Sequence, residues 1–136
     1  MKVRGLDNKT YTLTLTGHVP VSDDSKRSSY HLRARDLLTN LFPRDRILEE
    51  VPLPGSGGLT ADFFIPLQKL MIEVHGQQHY EVSTLFHNHY VDFLKGQQRD
   101  GRKRRWCELN NIDLVELPYN ERDDAWEQRI LRRQAS

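Results

Sequence analysis

The chain has 136 residues, of which 29% are charged and 37% hydrophobic, and its net charge is +1 at pH 7. This size predicts one domain, residues 1–136, built on a single hydrophobic core. The only cysteine, Cys107, excludes an internal disulfide and any zinc site made of several thiolates. No apolar run approaches the roughly 20 residues of a membrane span, and the first residues lack the apolar segment of a signal peptide. We therefore expect a cytosolic protein without a membrane partner.

The first third of the chain predicts a strand followed by a helix. Tyr11–Thr16 alternates apolar and β-branched residues, which indicates a strand. The polar segment Gly17–Ser25 is a predicted loop, and Ser28 or Ser29 is the predicted N-cap of a helix that ends near Leu41. The predicted apolar stripe of this helix consists of Leu32, Leu37, Leu38 and Leu41.

The centre of the chain predicts a β-hairpin with two opposed acids. A strand at Ile47–Leu53 and a glycine-rich turn precede it, and the hairpin turns at Pro66–Lys69. One face carries the apolar pairs Ile65 with Leu70, Phe63 with Ile72, and Ala61 with Val74, so we expect a core against it. The other face carries Asp62 opposite Glu73 and Thr60 opposite His75.

Directly opposed residues have Cβ atoms about 4.5–5.5 Å apart, so Asp62 and Glu73 would repel without a positive charge between them. A divalent cation is one solution, because hard cations take carboxylate oxygens. The alternative is that both carboxylates point to solvent or bind neighbouring arginines.

The last part of the chain predicts an irregular connection, a basic helix, a strand and a final helix. The helix covers about Tyr90–Leu109 and ends at Asn110 and Asn111 in a left-handed conformation. The strand Ile112–Leu117 follows a helical crossover, so it is free to lie parallel to an earlier strand. Asn120 is the predicted cap of the last helix, which has acids in its first turn and arginines in its last.

Basic residues are concentrated in two places. Between positions 95 and 105 six of them accompany one acid, Asp100. These are Lys95, Arg99, Arg102, Lys103, Arg104 and Arg105, and a second group is Lys26, Arg27, Arg33 and Arg35. Such runs fit contacts with phosphates, although a solvated helix face gives the same pattern.

Four blocks of the sequence, taken in order, resemble one nuclease superfamily. They are Ala61–Pro66, Ile72–His79, Gln98–Cys107 and Ile112–Leu117. The chain is similar to the PD-(D/E)XK nucleases, in particular to very short patch repair endonucleases, EDxHD homing endonucleases and their phage relatives. The resemblance covers about residues 28–121. It implies an α/β fold with a restriction-endonuclease-like core, in which helices flank a mixed β-sheet in the order αβββαβ, and residues 1–27 form an N-terminal strand and loop extension.

The resemblance also implies a metal site. Asp62, Glu73 and the carbonyl of Val74 are the expected ligands of Mg²⁺ or Mn²⁺. His75 stands where the family has lysine, so it is either a general base in its neutral form or a hydrogen-bond partner of the carboxylates. His79 matches the catalytic histidine of the EDxHD pattern.

Asp100 matches the last acid of that pattern and is expected to orient His79, or else to pair with Lys103 or Arg104 along the helix. Lys103, or less strongly Gln98, is a candidate replacement for the motif lysine. The full catalytic set is Asp62, Glu73, His75, His79, Asp100 and Lys103. His31 occupies the helix position of the family's first acid, for which Glu49 and Glu50 are possible substitutes. We therefore expect one metal ion instead of two.

The resulting prediction is a metal-dependent DNA endonuclease of phage type in the cytoplasm of a bacterial or phage-infected host cell. The expected DNA contacts are Lys26, Arg27, Arg33, Arg99, Arg102 and Arg105. Because the domain is small, it would recognise a DNA structure or mismatch, form a homodimer, or depend on another chain for specificity. Two alternatives stay open: a non-catalytic DNA-binding or interaction module on the same fold, and an RNA nuclease, since nothing in the sequence distinguishes the sugars.

Overall fold

The computed structural model describes residues 1–15, 27–76 and 87–133. The described chain contains six strands and three α-helices. They are β1 Lys2–Arg4, β2 Thr10–Thr12, α1 Ser29–Leu41, β3 Leu48–Pro52, β4 Thr60–Ile65, β5 Leu70–His75, α2 His87–Leu109, β6 Asp113–Pro118 and α3 Asp123–Arg132. Loop 17–25, Lys26 and His79, for which the sequence made predictions, lie outside the described residues.

The main sheet has four strands in the order β3-β4-β5-β6. The first three strands are antiparallel, and β6 runs parallel to β5. This confirms a mixed α/β fold and the predicted parallel placement of the last strand, which the α2 crossover permits. A separate hairpin of β1 and β2 precedes it. The sequence predicted one longer strand there and missed β1.

Both faces of the sheet are covered by helices. On one face, Phe63, Ile65, Leu70 and Ile72 are buried against residues of α1 and α3. On the other face, Phe64 and Met71 are buried with Trp106 and Cys107 of α2 and with the β1–β2 hairpin. The hairpin pattern predicted a core against the first face. The second face is covered too, because Phe64 and Met71 lie on it, two residues from Asp62 and Glu73 along their strands.

The ends of the helices agree only in part with the sequence prediction. The Ser28 hydroxyl accepts a hydrogen bond from the His31 backbone N–H, which confirms the N-cap of α1. Asn111 has φ 55°, as expected for the residue that stops α2. In contrast, α3 has Arg122 at its N-cap position without a capping side chain, so the prediction of Asn120 was wrong. Helix α2 begins at His87, three residues before the predicted start.

The buried face of α1 also differs from the predicted leucine stripe. Its buried residues are His31, Ala34 and Leu38, while Leu37 and Leu41 pack at the margin of the core. Leu32 belongs to neither core cluster, so that part of the prediction was wrong. The reason is the small Ala34 side chain, which lets the helix approach the sheet at a position that a count of large apolar residues overlooks. Within the described ranges, no helix is long and apolar enough to cross a membrane.

The capping geometry gives a test of the fold. Replacing Ser28 by alanine is expected to lower the free energy of unfolding by about 1 kcal/mol, because a backbone donor of α1 loses its acceptor. Asn120→Ala should change it by less than about 0.5 kcal/mol, since Asn120 is exposed and lies outside α3. Urea denaturation of both variants measures the difference, and equal losses would contradict the assigned caps.

Candidate active site

Three acidic residues form a row across β4, β5 and β6. Glu73 and Glu116 are direct partners in the parallel pairing of β5 with β6. The β4–β5 pairing includes Phe63 with Ile72, and one further step in this register brings Asp62 opposite Glu73. Side chains alternate along a strand, so all three acids lie on the face under α2. We call Asp62, Glu73 and Glu116 the acidic row.

Asp62 and Glu73 interlock where the pairing of β4 with β5 ends. The backbone N–H of Val74 donates to Asp62 Oδ2 over 2.8 Å, and the N–H of Asp62 donates to Glu73 Oε1 over 3.3 Å. Carboxylate oxygens thus accept hydrogen bonds from backbone N–H groups that would otherwise donate to backbone carbonyls of the neighbouring strand. The predicted opposition of the two acids is confirmed by these contacts, whereas the predicted Ala61–Val74 and Thr60–His75 pairs lie beyond the paired segment.

Lys103 supplies a positive charge to this pair. Its Nζ lies 3.2 Å from Glu73 Oε2, and the Lys103 side chain is only 16% exposed. The structure therefore brings the predicted lysine of α2 to the carboxylates. Gln98, the weaker candidate, is exposed.

The pKa of Glu73 is raised from its ordinary value of 4.5 to about 8. The main cause is burial, which removes water from the charged form, and the second is the negative charge of Asp62. The nearby ammonium of Lys103 offsets part of this rise. A carboxyl with such a pKa holds a proton at neutral pH unless a stronger positive charge approaches it.

His75 is buried between two acids of different elements. Its Nε2 lies 4.0 Å from Asp100 Oδ2 on α2, and its Nδ1 lies 3.6 Å from Glu116 Oε2 on β6. Asp100 was predicted to orient His79, and in the described part of the chain it faces His75. The alternative helix partners of Asp100, Lys103 and Arg104, reach toward the acidic row.

The sequence interpretation missed Glu116, and it named Arg104 only in the basic group and as a possible helix partner of Asp100. Arg104 binds Glu116 with two hydrogen bonds, from Nε over 2.5 Å and from Nη2 over 2.8 Å. One signal was available: Glu116 is an acid inside the apolar strand β6, at a position that alternates with Val115 and Leu117. Its alignment with Glu73 depends on the strand register, which the sequence does not give.

The acidic row fits a hard cation that keeps much of its own water. In the described segments, no three or more side chains of His, Cys, Asp and Glu come together in a way that could hold a metal ion. Mg²⁺ is often bound by only one or two carboxylates and retains several waters. Asp62 and Glu73 meet this requirement, and each carboxylate oxygen has a second lone pair available besides its present hydrogen bond. The Val74 carbonyl stays a predicted ligand.

Glu49 lies on the other face of the sheet. It pairs with Phe63 in the β3–β4 register and is buried beside α1. Its carboxylate lies 2.7 Å from His31 Nε2, and it accepts hydrogen bonds from Arg35. The Glu50 side chain is 58% exposed and pairs with Arg27. Neither acid joins Asp62 and Glu73, because the sheet separates Glu49 from them and Glu50 points to the surface.

The predicted DNA contacts divide into two groups. Arg27 binds Glu50 and lies beside Glu49, and Arg33 stacks over the Trp126 ring at 3.7 Å while pairing with Asp123. These two arginines connect elements on the α1 and α3 face. In contrast, α2 presents Arg99 and Arg105 to solvent, and Arg102 is half-buried.

Helical spacing places several of these residues together. Positions 95, 99 and 102 follow an i, i+4, i+7 pattern, so Lys95, Arg99 and Arg102 lie along one side of α2. Arg102 Nη1 comes within 3.5 Å of the position that a Cβ at Gly57 would occupy, beside the turn before β4. We call Lys95, Arg99 and Arg102 the basic stripe.

Comparison with known proteins gives viral relatives without an assigned activity. Uncharacterized protein 307L of Invertebrate iridescent virus 6 is 41% identical over 69 residues, which are 51% of this chain and 35% of the relative. Uncharacterized protein 094L of Frog virus 3 is 38% identical over 72 residues, 52% of this chain and 46% of the relative. The chain thus spans less than half the length of these curated relatives. No protein-family model and no solved structure matches it.

The raised pKa of Glu73 predicts that stability depends on pH, and this is measured in EDTA so that no metal ion binds the carboxylates. Because the folded protein holds the proton more tightly than the unfolded chain, the stability from Glu73 is fully present below pH 4.5 and is lost as the pH rises through about 8. Glu73→Gln keeps an uncharged group there, so the melting temperature of the variant relative to wild type should increase between about pH 5 and about pH 8.5.

The matched control for this titration is Glu121→Gln. The Glu121 pKa is lowered by its hydrogen bond with Arg129, so its titration lies at acidic pH. Its difference from wild type should stay nearly constant over the same pH window. A constant difference for Glu73→Gln as well would show that Glu73 is already ionised in the folded protein.

Proposed function

We propose that this chain is a metal-dependent DNA endonuclease domain built on a restriction-endonuclease-like core. The observation that carries the proposal is the pair of buried Glu73 and half-buried Asp62, with Lys103 beside it. Two acids and one lysine side by side are the groups needed to bind a divalent ion and a phosphate together. The resemblance to PD-(D/E)XK nucleases attaches the same roles to the two acids.

The element order supports the proposed core. From α1 to β6 the described elements follow αβββαβ, and the three central strands are antiparallel with a parallel fourth. The acids lie at the level where β4 and β5 stop pairing. Ligands gathered at such a point are held by rigid strands, which fixes their spacing.

Each residue has a proposed part in phosphodiester hydrolysis. Asp62 and Glu73 hold the cation, which when bound polarises the phosphate and lowers the pKa of water. Lys103 is placed to donate hydrogen bonds to a phosphate oxygen or to the attacking water. His75 accepts a proton if it is neutral, or orients the carboxylates otherwise. His79 keeps its predicted role as catalytic histidine.

The raised pKa of Glu73 is consistent with this use. Metal ligands must lose their protons, so cation binding releases the proton of a carboxyl whose pKa is high. A purely structural acid at this position would gain more from a full set of hydrogen-bond donors, as Glu49 has on the other face. Glu73 has one ammonium and one backbone donor in the described contacts.

The basic stripe supports a polyanionic substrate. Arg99 and Lys95 are exposed, and they lie on the same helix as Lys103. A substrate backbone along α2 would therefore pass close to the acidic row, where phosphate contacts fix its position. The phage origin, the homodimer and the cellular location remain predictions.

Cleavage of supercoiled plasmid tests the function. With Mg²⁺ or Mn²⁺ the wild type should cut, with EDTA it should not, and Glu73→Gln should cut at least about a hundredfold more slowly, because a metal ligand is replaced by a neutral amide. Glu121→Gln, a control on the opposite face, should cut like wild type. Branched duplexes, mismatched duplexes and RNA in parallel reactions would rank the substrates. Cutting that persists in EDTA or in Glu73→Gln would refute the mechanism.

A non-catalytic DNA-binding module is the second candidate. It is favoured by Lys103, which partly neutralises Glu73 without a metal, and by the small number of metal-ligating side chains among the described residues. Such a module would bind DNA equally with Mn²⁺ and with EDTA, and it would cut none of the substrates.

The basic stripe generates a prediction that applies to both candidates. Arg99→Gln and Arg102→Gln should each weaken DNA binding and reduce the slope of log affinity against log salt by about 1, because each removes one phosphate contact. Fluorescence anisotropy over a salt series measures this. Arg122→Gln is the control, since the Arg122 side chain is 92% exposed on the far side of the fold. Equal effects of all three variants would indicate a general charge effect.

A further inference from the structure

We propose that Glu116 is a positioning residue, which through its pair with Arg104 holds α2 so that Lys103 stays over Glu73. This inference rests on the proposed function, because Lys103 matters only if the acidic row is a reaction centre. No sequence motif points to Glu116, whose role follows from the geometry of two neighbouring strands and one helix.

Glu116 lies beside Glu73 in the sheet. It is the direct partner of Glu73 in the parallel pairing, so it lies on the adjacent strand at the same level and on the same face. Its carboxylate accepts two hydrogen bonds from Arg104, over 2.5 Å and 2.8 Å. Two parallel bonds between guanidinium and carboxylate restrict orientation as well as distance.

Lys103 and Arg104 are consecutive residues of α2. Consecutive residues point about 100° apart around a helix, and adjacent strands lie about 4.8 Å apart. Lys103 reaches Glu73 on β5, and Arg104 reaches Glu116 on β6. These two contacts together oppose both a rotation of α2 about its axis and a slide along the sheet. Trp106 holds α2 in the core, and these two contacts set the rotation of the helix at Lys103, so that removing one of them leaves the Lys103 side chain less restricted.

The Glu116 carboxylate also contacts His75. Glu116 Oε2 lies 3.6 Å from His75 Nδ1, while the other ring nitrogen faces Asp100 of α2. Glu116 therefore touches the strand that carries Glu73 and, through Arg104, the helix that carries Lys103 and Asp100. A substitution of Glu116 is therefore expected to affect both β5, through His75, and α2, through Arg104.

The Arg104–Glu116 pair is partly exposed, so its effect on the position of Lys103 can be measured apart from its small effect on stability. The side chains of Arg104 and Glu116 are 51% and 25% exposed, and exposed ion pairs contribute little to stability. Arg129 and Glu121 form a matched pair away from the site, with two bonds of 2.6 Å and 2.7 Å and side chains 44% and 28% exposed. Removing either pair should therefore affect folding similarly, whereas only the Arg104–Glu116 pair should affect Lys103.

The first arm of the test measures the position of Lys103 without any activity. Amine acetylation of the whole chain, followed by mass spectrometry, gives the rate at Lys103 relative to the exposed Lys69. Glu116→Gln and Arg104→Gln should raise this ratio about fivefold or more, because the Lys103 amine leaves Glu73. Glu121→Gln and Arg129→Gln should leave it unchanged. All four variants should melt within about 4 °C of wild type.

The second arm measures catalysis and coupling. Glu116→Gln should lower kcat about tenfold to a hundredfold with little change in KM, because small misplacements of a catalytic group act on the chemical step. In a Lys103→Ala background the same substitution should cost much less, since the group that it positions is absent. Glu116→Asp, which can still bind Arg104, should restore part of kcat.

The two arms distinguish failure of this inference from failure of the proposed function. An unchanged acetylation ratio in Glu116→Gln, or fully additive effects in the Lys103→Ala background, would overturn the positioning role even if the enzyme cuts DNA. A raised ratio in a protein that cuts no substrate would confirm that Glu116 positions Lys103 and would refute the endonuclease.

Discussion

The placement of two carboxylates side by side, with Glu73 buried, is the constraint on which this structure depends. Asp62 and Glu73 lie on adjacent strands under α2, where Glu73 is buried and Asp62 is half-buried, so that like charges repel more strongly than in open water. Three features reduce this repulsion. The raised pKa of Glu73 favours its neutral form, the Lys103 ammonium contacts Glu73, and the backbone N–H of Val74 donates to Asp62. The Lys103 ammonium comes from α2, and the same helix carries Arg104, the partner of Glu116.

The two faces of the sheet use buried charge differently. On the α1 face, Glu49 is surrounded by His31, Arg27 and Arg35, so that its charge is met by several donors at short range. That arrangement connects α1 to β3 and leaves little for a ligand to supply. On the α2 face three acids, Asp62, Glu73 and Glu116, face two basic side chains, Lys103 and Arg104, among the described contacts, and the raised pKa of Glu73 supplies a proton where a third cation is missing. A divalent cation would improve the balance only on the second face.

Helix α2 joins the site to a surface suited for a polyanion. Its period places Lys103 and Asp100 toward the sheet and the basic stripe of Lys95, Arg99 and Arg102 to one side. Trp106 anchors the helix in the core, and its indole N–H donates to the Pro54 carbonyl in the turn before β4. One helix therefore contributes packing, a site lysine and phosphate contacts, which explains how its many charges are compatible with a buried face.

The sequence by itself determined the elements of the four-stranded sheet and the central pair of acids. The alternation around Pro66–Lys69 fixed the hairpin register, because a slip of one residue would have paired each acid with an apolar residue, and this register sets Asp62 against Glu73. Local signals also gave the Ser28 cap and the Asn111 stop. Only the tertiary structure decided which groups from distant positions meet the pair. Glu116 joins the row through the parallel register of β6, Asp100 faces His75, and Glu49 is separated by the sheet, because these relations depend on how a helical crossover docks and no local pattern encodes that.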